Sequence, residues 1–98
     1  PLLLFQLGMI YDRSDNKQAA YDTFRQVHQQ DRDNAVTLYN LGTIAADLGH
    51  YNHAKQWFYR ALKQAPQMHD AKIQLKRLQR RKNRKPFTLE ESTETDGP

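Results

Sequence analysis

The chain repeats itself at an offset of 34 residues: Leu4, Leu7, Gly8, Ala20 and Phe24 recur as Leu38, Leu41, Gly42, Ala54 and Phe58. Five matches at one offset, with small and large residues in the same order, are the signature of a stacked-repeat architecture. A unit of this size cannot cover its own apolar face, so it must nest against neighbours. The stack then presents an extended surface rather than a chemical centre.

The period fixes how the rest of the sequence reads. Between Leu2 and Ala65 there is no proline, and the apolar residues keep the three-to-four spacing of helix faces rather than strand alternation. Four stripes result: Leu3, Leu4, Leu7, Ile10 and Tyr11; Ala19, Ala20, Phe24 and Val27; Leu38, Leu41, Ile44, Ala45 and Leu48; and Ala54, Trp57, Phe58, Ala61 and Leu62. Ser14-Asp15-Asn16 closes the first helix and caps the second, since Asp and Asn tolerate left-handed backbone and serve as N-caps. Gly49 ends the third. Asp31 to Asn34 separates the second and third helices, with Asn34 as N-cap, and Gln64-Ala65-Pro66 ends the fourth. A fifth helix is expected over Asp70 to Asn83, with Ala71, Ile73, Leu75 and Leu78 on its apolar side. The hairpins are expected to close where Gly8 and Gly42 face Ala20 and Ala54, with the large residues filling the wedge beside them.

Charge is unevenly placed. Of 15 Lys and Arg residues, seven fall within Lys76–Lys85, and four of the 11 acids fall within Glu90–Asp96. The repeat body is near neutral, followed by a basic helix and an acidic tail, 86–98, that is expected to be flexible. The basic run Lys76, Arg77, Arg80, Arg81, Lys82, Arg84 and Lys85 has two readings: phosphate contact to nucleic acid or an anionic membrane surface, or a solvated helix end aided by its dipole. It contains no aromatic residue to stack on bases, which favours the second.

Catalysis finds little support. Cysteine is absent, so neither disulfides nor thiolate sites arise. Ser14 and Ser92 fall in a turn and in the tail. No phosphate-cradling glycine loop and no carboxylate pair stands out, so no catalytic residue is assigned. His50 and His53 lie three apart, with His28 and His69 elsewhere. Without further ligands nearby all four read as surface histidines, and neither a metal nor a cofactor is expected. The apolar run Pro1–Ile10 has no cationic leader and no small-residue cleavage site, and it is too short to span a bilayer.

The rigid spacing resembles that of tetratricopeptide repeats. The first unit, 2–34, shows Leu4, Leu7-Gly8, Tyr11, Ala20 and Phe24, with Val27 at the small position and Arg32 where proline is usual. The second, 35–68, shows Leu38, Leu41-Gly42, Gly49, Tyr51, Ala54, Phe58, Ala61 and Pro66, with Ala45 in place of the first aromatic. The helix over 69–84 resembles the polar capping helix that ends such arrays. The resemblance implies an all-α, right-handed superhelical stack of about five helices over 1–85. Its implied role is protein–protein interaction, as an adaptor or scaffold whose groove is lined by the first helix of each hairpin.

Matching by position, the implied groove residues are Leu2, Phe5, Met9, Asp12 and Arg13 from the first repeat. Val36, Tyr39, Asn40, Thr43, Ala46 and Asp47 follow from the second, and Ile73, Gln74 and Arg77 from the cap. The carboxylate clamp of the heat-shock co-chaperones in this family is not reproduced. Asn40 fits it, but Phe5, Met9 and Gln74 replace its Lys, Asn and Arg. An apolar segment with acidic flanks is the complementary ligand. Alternatively, Leu2, Phe5 and Met9 pack against a preceding repeat. Stacks generally need three or more units, so the chain is expected either to end a longer array or to self-associate through its first helix. A non-catalytic regulatory end of a larger protein is a further reading.

Overall fold

The computed structural model describes residues 2–83, and these form five helices: α1 (Leu2–Arg13), α2 (Lys17–Gln30), α3 (Ala35–Asp47), α4 (Tyr51–Gln64) and α5 (His69–Asn83). The fold is the all-α stack of hairpins that the period predicts. Each helix packs on the next in chain order, α1 on α2, α2 on α3, α3 on α4 and α4 on α5. The expected acidic tail, 86–98, and the cations Arg84 and Lys85 lie outside the described residues.

The turns repeat along with the helices. In the first hairpin the Asn16 amide donates to Tyr11 O (2.9 Å) and the Asp15 amide to Asp12 O (3.1 Å). In the second, the His50 amide donates to Ala45 O (2.8 Å) and the Gly49 amide to Ala46 O (3.0 Å). These paired bonds are a Schellman ending, which needs left-handed backbone at one residue. Gly49 supplies it with φ +87° and Asp15 with φ +62°. The connections between repeats also coincide: Asp31 N to Val27 O at 2.9 Å matches Ala65 N to Ala61 O at 2.8 Å. Arg32 therefore holds the place of Pro66 without changing the turn. Asn34 caps α3, its side chain accepting from the Thr37 amide at 3.1 Å. Asn16 stands at the N-cap of α2 but makes no side-chain capping bond, so half of the role expected of that turn is absent.

What closes each hairpin is an aromatic ring on a glycine. A methyl group built on Gly42 would lie 2.6 Å from the Phe58 ring, and one on Gly8 would lie 3.0 Å from the Phe24 ring. The nearest atoms facing each glycine thus belong to the phenylalanine expected beside the glycine–alanine crossing, since a flat ring reaches further across it than an alanine methyl. Ala20 and Ala54 are fully buried nonetheless.

Two core clusters follow. Ala20, Phe24 and Val27 of α2 meet Leu41 and Ile44 of α3, with Leu4, Phe5 and Met9 of α1 packed against them. Ala45, Ala54 and Phe58 meet Ala71 and Leu75 of α5. Tyr21 and Trp57 pack against both clusters, and the Trp57 indole N–H donates to the Tyr21 hydroxyl at 2.9 Å. Trp57 therefore sits at the junction between repeats.

Three sequence expectations fail in detail. Leu3, Leu7 and Ile10 are exposed, Leu3 by 80% and Ile10 by 55%, so the packed side of α1 is Leu4, Phe5, Gly8, Met9 and Tyr11. Their counterparts one period on, Thr37, Leu41 and Ile44, are buried. The pattern names a face, whereas burial depends on whether a hairpin precedes it. Ile73 is likewise exposed, leaving Ala71, Leu75 and half-buried Leu78 as the packed side of α5. His28 is 7% exposed rather than a surface residue.

Burial of His28 has a consequence for pH. Desolvation chiefly, and then the neighbouring Arg60 and Arg32 guanidinium groups, hold its imidazole below the ordinary histidine value, with Asp33 opposing them. As the pH drops below about 6.5 the unfolded chain takes up this proton before the folded one does. The contribution of His28 to stability is thus complete above that pH and is lost as the pH falls toward the folded-state value. Urea midpoints should fall on acidification from pH 7.5 to 5.5, and His28→Gln should flatten that slope. An unchanged slope in the variant would refute the assignment.

The glycine contacts predict an order of stabilities. Gly42→Ala gains helix propensity but forces the buried Phe58 ring to move. Overpacking typically costs about 1–3 kcal/mol against a propensity gain of about 1. Gly42→Ala should lower the melting temperature, and Gly8→Ala, with 0.4 Å more room, should lower it less. Thermal melts of both variants check the order.

Candidate functional site

The residues that the resemblance implies as groove-lining fall on α1, α3 and α5, and the 34-residue period sets them in columns. Phe5, Tyr39 and Ile73 hold one position of successive first helices; Met9, Thr43 and Arg77 hold another; Asn40 and Gln74 share a third. Down the second column the chemistry shifts from apolar Met9 in α1 to cationic Arg77 in α5, whereas the first column is apolar at both ends and the third is polar.

At the α1 end, Phe5 and Met9 are half-buried and packed into the first cluster. The Phe5 ring stands edge-on to Phe24, with centroids 5.3 Å apart, an arrangement that aromatic quadrupoles favour. These two residues thus have intramolecular partners, which the sequence-based alternative of a missing neighbour overlooked. Leu2, by contrast, is 68% exposed, and Arg13 at the helix end is exposed.

In the middle, Tyr39 is half-buried, with its ring tilted against Phe58 at 5.7 Å. Burial pushes its phenol above the ordinary tyrosine value and the Asp70 carboxylate adds to this, while the Gln74 amide and the Arg77 guanidinium pull the other way. Tyr39 packs against the cluster that α5 enters through Ala71 and Leu75, which sets it beside the helix carrying Gln74, Arg77 and Asp70, the last of which the sequence reading left out. Asn40 and Thr43 are half-buried beside them on α3, the Thr43 hydroxyl donating to Asn40 O at 3.0 Å. Val36 and Ile73 are exposed apolar residues flanking this polar group, at 51% and 47%.

Asp12 and Asp47 are brought together by a residue that sequence reasoning missed. Lys17, at the start of α2, reaches Asp12 at 2.6 Å and Asp47 at 3.3 Å. The hydrogen bond to Asp12 holds the lysine above its ordinary value; burial works against it, and Asp47 adds to it. The two acids expected in the groove are thus already engaged with one cation that ties α1, α2 and α3. The signal was the i, i+5 placement of Asp12 and Lys17 across the first turn, which a helix-period reading does not register. Ala46 is half-buried in the second cluster.

The basic face of α5 splits in two. Lys76, Arg77 and Arg80 are exposed, whereas the Arg81 guanidinium lies over the Tyr51 ring, 4.2 Å from its centroid. Gln79 adds a hydrogen bond to the Tyr59 hydroxyl at 3.3 Å. Both contacts fasten α5 to α4. His50 and His53 stack edge-on at 6.1 Å, and among the described residues no three His, Cys, Asp or Glu gather as metal ligands. None of the described helices is long and apolar enough to cross a membrane.

Comparison with known proteins agrees with this geometry. The tetratricopeptide repeat family profile matches residues 2–34 and 35–68, the same two units that the period delimits. No curated protein matches the chain. Repeats of this kind generally mediate protein–protein interaction and scaffolding and are typically non-catalytic. With both hairpins matched from end to end, the chain belongs to the tetratricopeptide repeat family.

Proposed function

We propose that the chain is an interaction module that docks a polypeptide segment along the face shared by α1, α3 and α5, apolar at one end and cationic at the other. The observation that carries this reading is the packing of Tyr39 against the cluster shared with α5, the helix that bears Gln74 and Arg77, with Val36 and Ile73 exposed on the same two helices. A half-buried phenol, an amide and a guanidinium among apolar residues can orient a peptide backbone and an acidic side chain while its apolar residues are covered. Phe5 and Met9 form the apolar end, with Leu2 at the rim. Asp12 and Asp47 are both held by Lys17, which leaves one net negative charge among the three; Arg13, Asn40 and Thr43 complete the polar edge.

The test is a selection from a peptide library followed by calorimetry on the winners. Selected peptides should combine apolar residues with Asp or Glu flanks, and their affinity should fall about tenfold or more, roughly 1.4 kcal/mol, in Tyr39→Ala and in Arg77→Glu. Arg77 is exposed, so its variant tests the groove even where Tyr39→Ala loosens packing on Phe58. Peptides that bind both variants as well as the parent chain would sink the reading.

A second reading, self-association through α1, is favoured by one observation. Leu3, Leu7 and Ile10 are exposed, while Leu41 and Ile44, the counterparts of Leu7 and Ile10, are buried against α2. A second copy laid on α1 would cover the exposed face in the same manner. Light scattering should then show a dimer that Leu7→Glu and Ile10→Glu convert to monomer. A monomer at high concentration in the parent chain would refute it.

A further inference from the structure

A separate cleft of about 440 Å³ lies between α2 and α4. Arg25 and His28 of α2 line it, with Arg32 from the following loop, and His50 and His53 line it from the start of α4. Tyr21 and Trp57 add an aromatic wall, and no aspartate or glutamate takes part. Asp33, whose carboxylate acts on His28 against Arg32 and Arg60, is not in the wall. Among the described residues neither Arg25 nor Arg32 has a carboxylate within ion-pair distance. The Arg25 guanidinium rests 5.9 Å from the Tyr21 ring.

His28 is the second, independent sign. The residue is 7% exposed, and its Nδ1 is shielded from solvent with no hydrogen-bond partner. On the other side of the ring, Arg60 Nη2 lies 3.4 Å from Nε2. A guanidinium only donates, so Nε2 accepts and the neutral ring carries its proton on Nδ1. That leaves a buried donor facing no acceptor, an arrangement native proteins rarely leave without a reason.

The repeat shows that packing does not demand these groups. One period on, Arg25 corresponds to Tyr59, His28 to Leu62 and Arg32 to Pro66. The second hairpin builds the same helices and the same turn with none of the three. The two arginines are an addition to the scaffold, and His28 puts a polar ring where the second repeat packs Leu62.

We propose that this cleft binds a phosphoryl group. The planar forks of Arg25 and Arg32 suit two oxygens of a tetrahedral oxyanion. His53 and the amide end of α4 at His50 favour negative charge from the opposite wall. His28 lines the same cleft, and a third oxygen there is the acceptor that its orphaned Nδ1–H lacks. Arg60, 4.9 Å over the Trp57 ring and against His28, adds positive field from behind. The same chemistry serves a free phosphate or a phosphorylated side chain of a partner.

Titration of the chain with inorganic phosphate, followed by ¹⁵N NMR against sodium chloride at matched ionic strength, tests this. Saturable shifts at Arg25, His28, His53 and the Trp57 indole N–H are expected with phosphate and absent with chloride. The double variant Arg25→Gln/Arg32→Gln, both exposed positions, should weaken binding about tenfold or more, and Arg77→Gln on α5 should leave it unchanged. A neutral glycine–serine peptide carrying one phosphoserine separates the sources. Binding tighter than inorganic phosphate identifies a phosphorylated partner, and equal or weaker binding identifies free phosphate. Shifts that do not saturate, that chloride reproduces, or that survive the double variant would overturn the proposal.

Discussion

The closure of each hairpin depends on a phenylalanine ring seated on a glycine backbone. Phe24 on Gly8 and Phe58 on Gly42 draw two helices closer than any side chain between them would permit. The rings are essentially inaccessible to water, and each contributes about 1.5–3 kcal/mol of apolar burial. That is too little to stabilise a lone hairpin against the entropy of ordering its backbone. The remainder comes from stacking. Once Phe24 is seated, Ala20 and Val27 present a surface that Leu41 and Ile44 of α3 complete. Closure within a repeat and stacking between repeats are therefore one packing event, consistent with the nearest-neighbour energetics of repeat arrays.

Much of this is legible in the sequence because the constraint recurs at a fixed spacing. The hairpins, the left-handed turn residues Asp15 and Gly49, the Asn34 cap and the junction role of Trp57 all follow from residues whose chemistry is local. What the sequence conceals is which neighbour reaches a given face. Leu7 and Leu41 are the same residue at the same position, yet one is exposed and the other buried, since among the described residues only the second has a hairpin packed in front of it. Ile73 reads as core by spacing and is exposed, although Phe5 and Tyr39 in the same column are half-buried, each against a phenylalanine of the helix that follows it, a partner Ile73 lacks among the described residues. His28 reads as a surface histidine by type. Its counterpart Leu62, one period on, was the signal that this position is apolar in its surroundings.

The candidate groove is legible only in part for the same reason. Columns of residues follow from the period, but the partners of a side chain do not. Lys17 lies outside every column and yet engages Asp12 and Asp47, converting two acids that seemed free for a ligand into a brace across three helices. Arg81 over Tyr51 does the same at the other end, taking one cation out of a run that composition alone presents as uniform. Charge in this molecule is divided between fastening and display, and only contacts distinguish the two uses.

The sole tryptophan is bonded through its indole N–H to Tyr21 of the other hairpin. Its fluorescence is therefore a built-in gauge of how the two repeats dock, whereas circular dichroism counts helix wherever it forms. A disparity between the two signals during denaturation would mark hairpins that part before they melt; superimposed curves would mark a single cooperative unit.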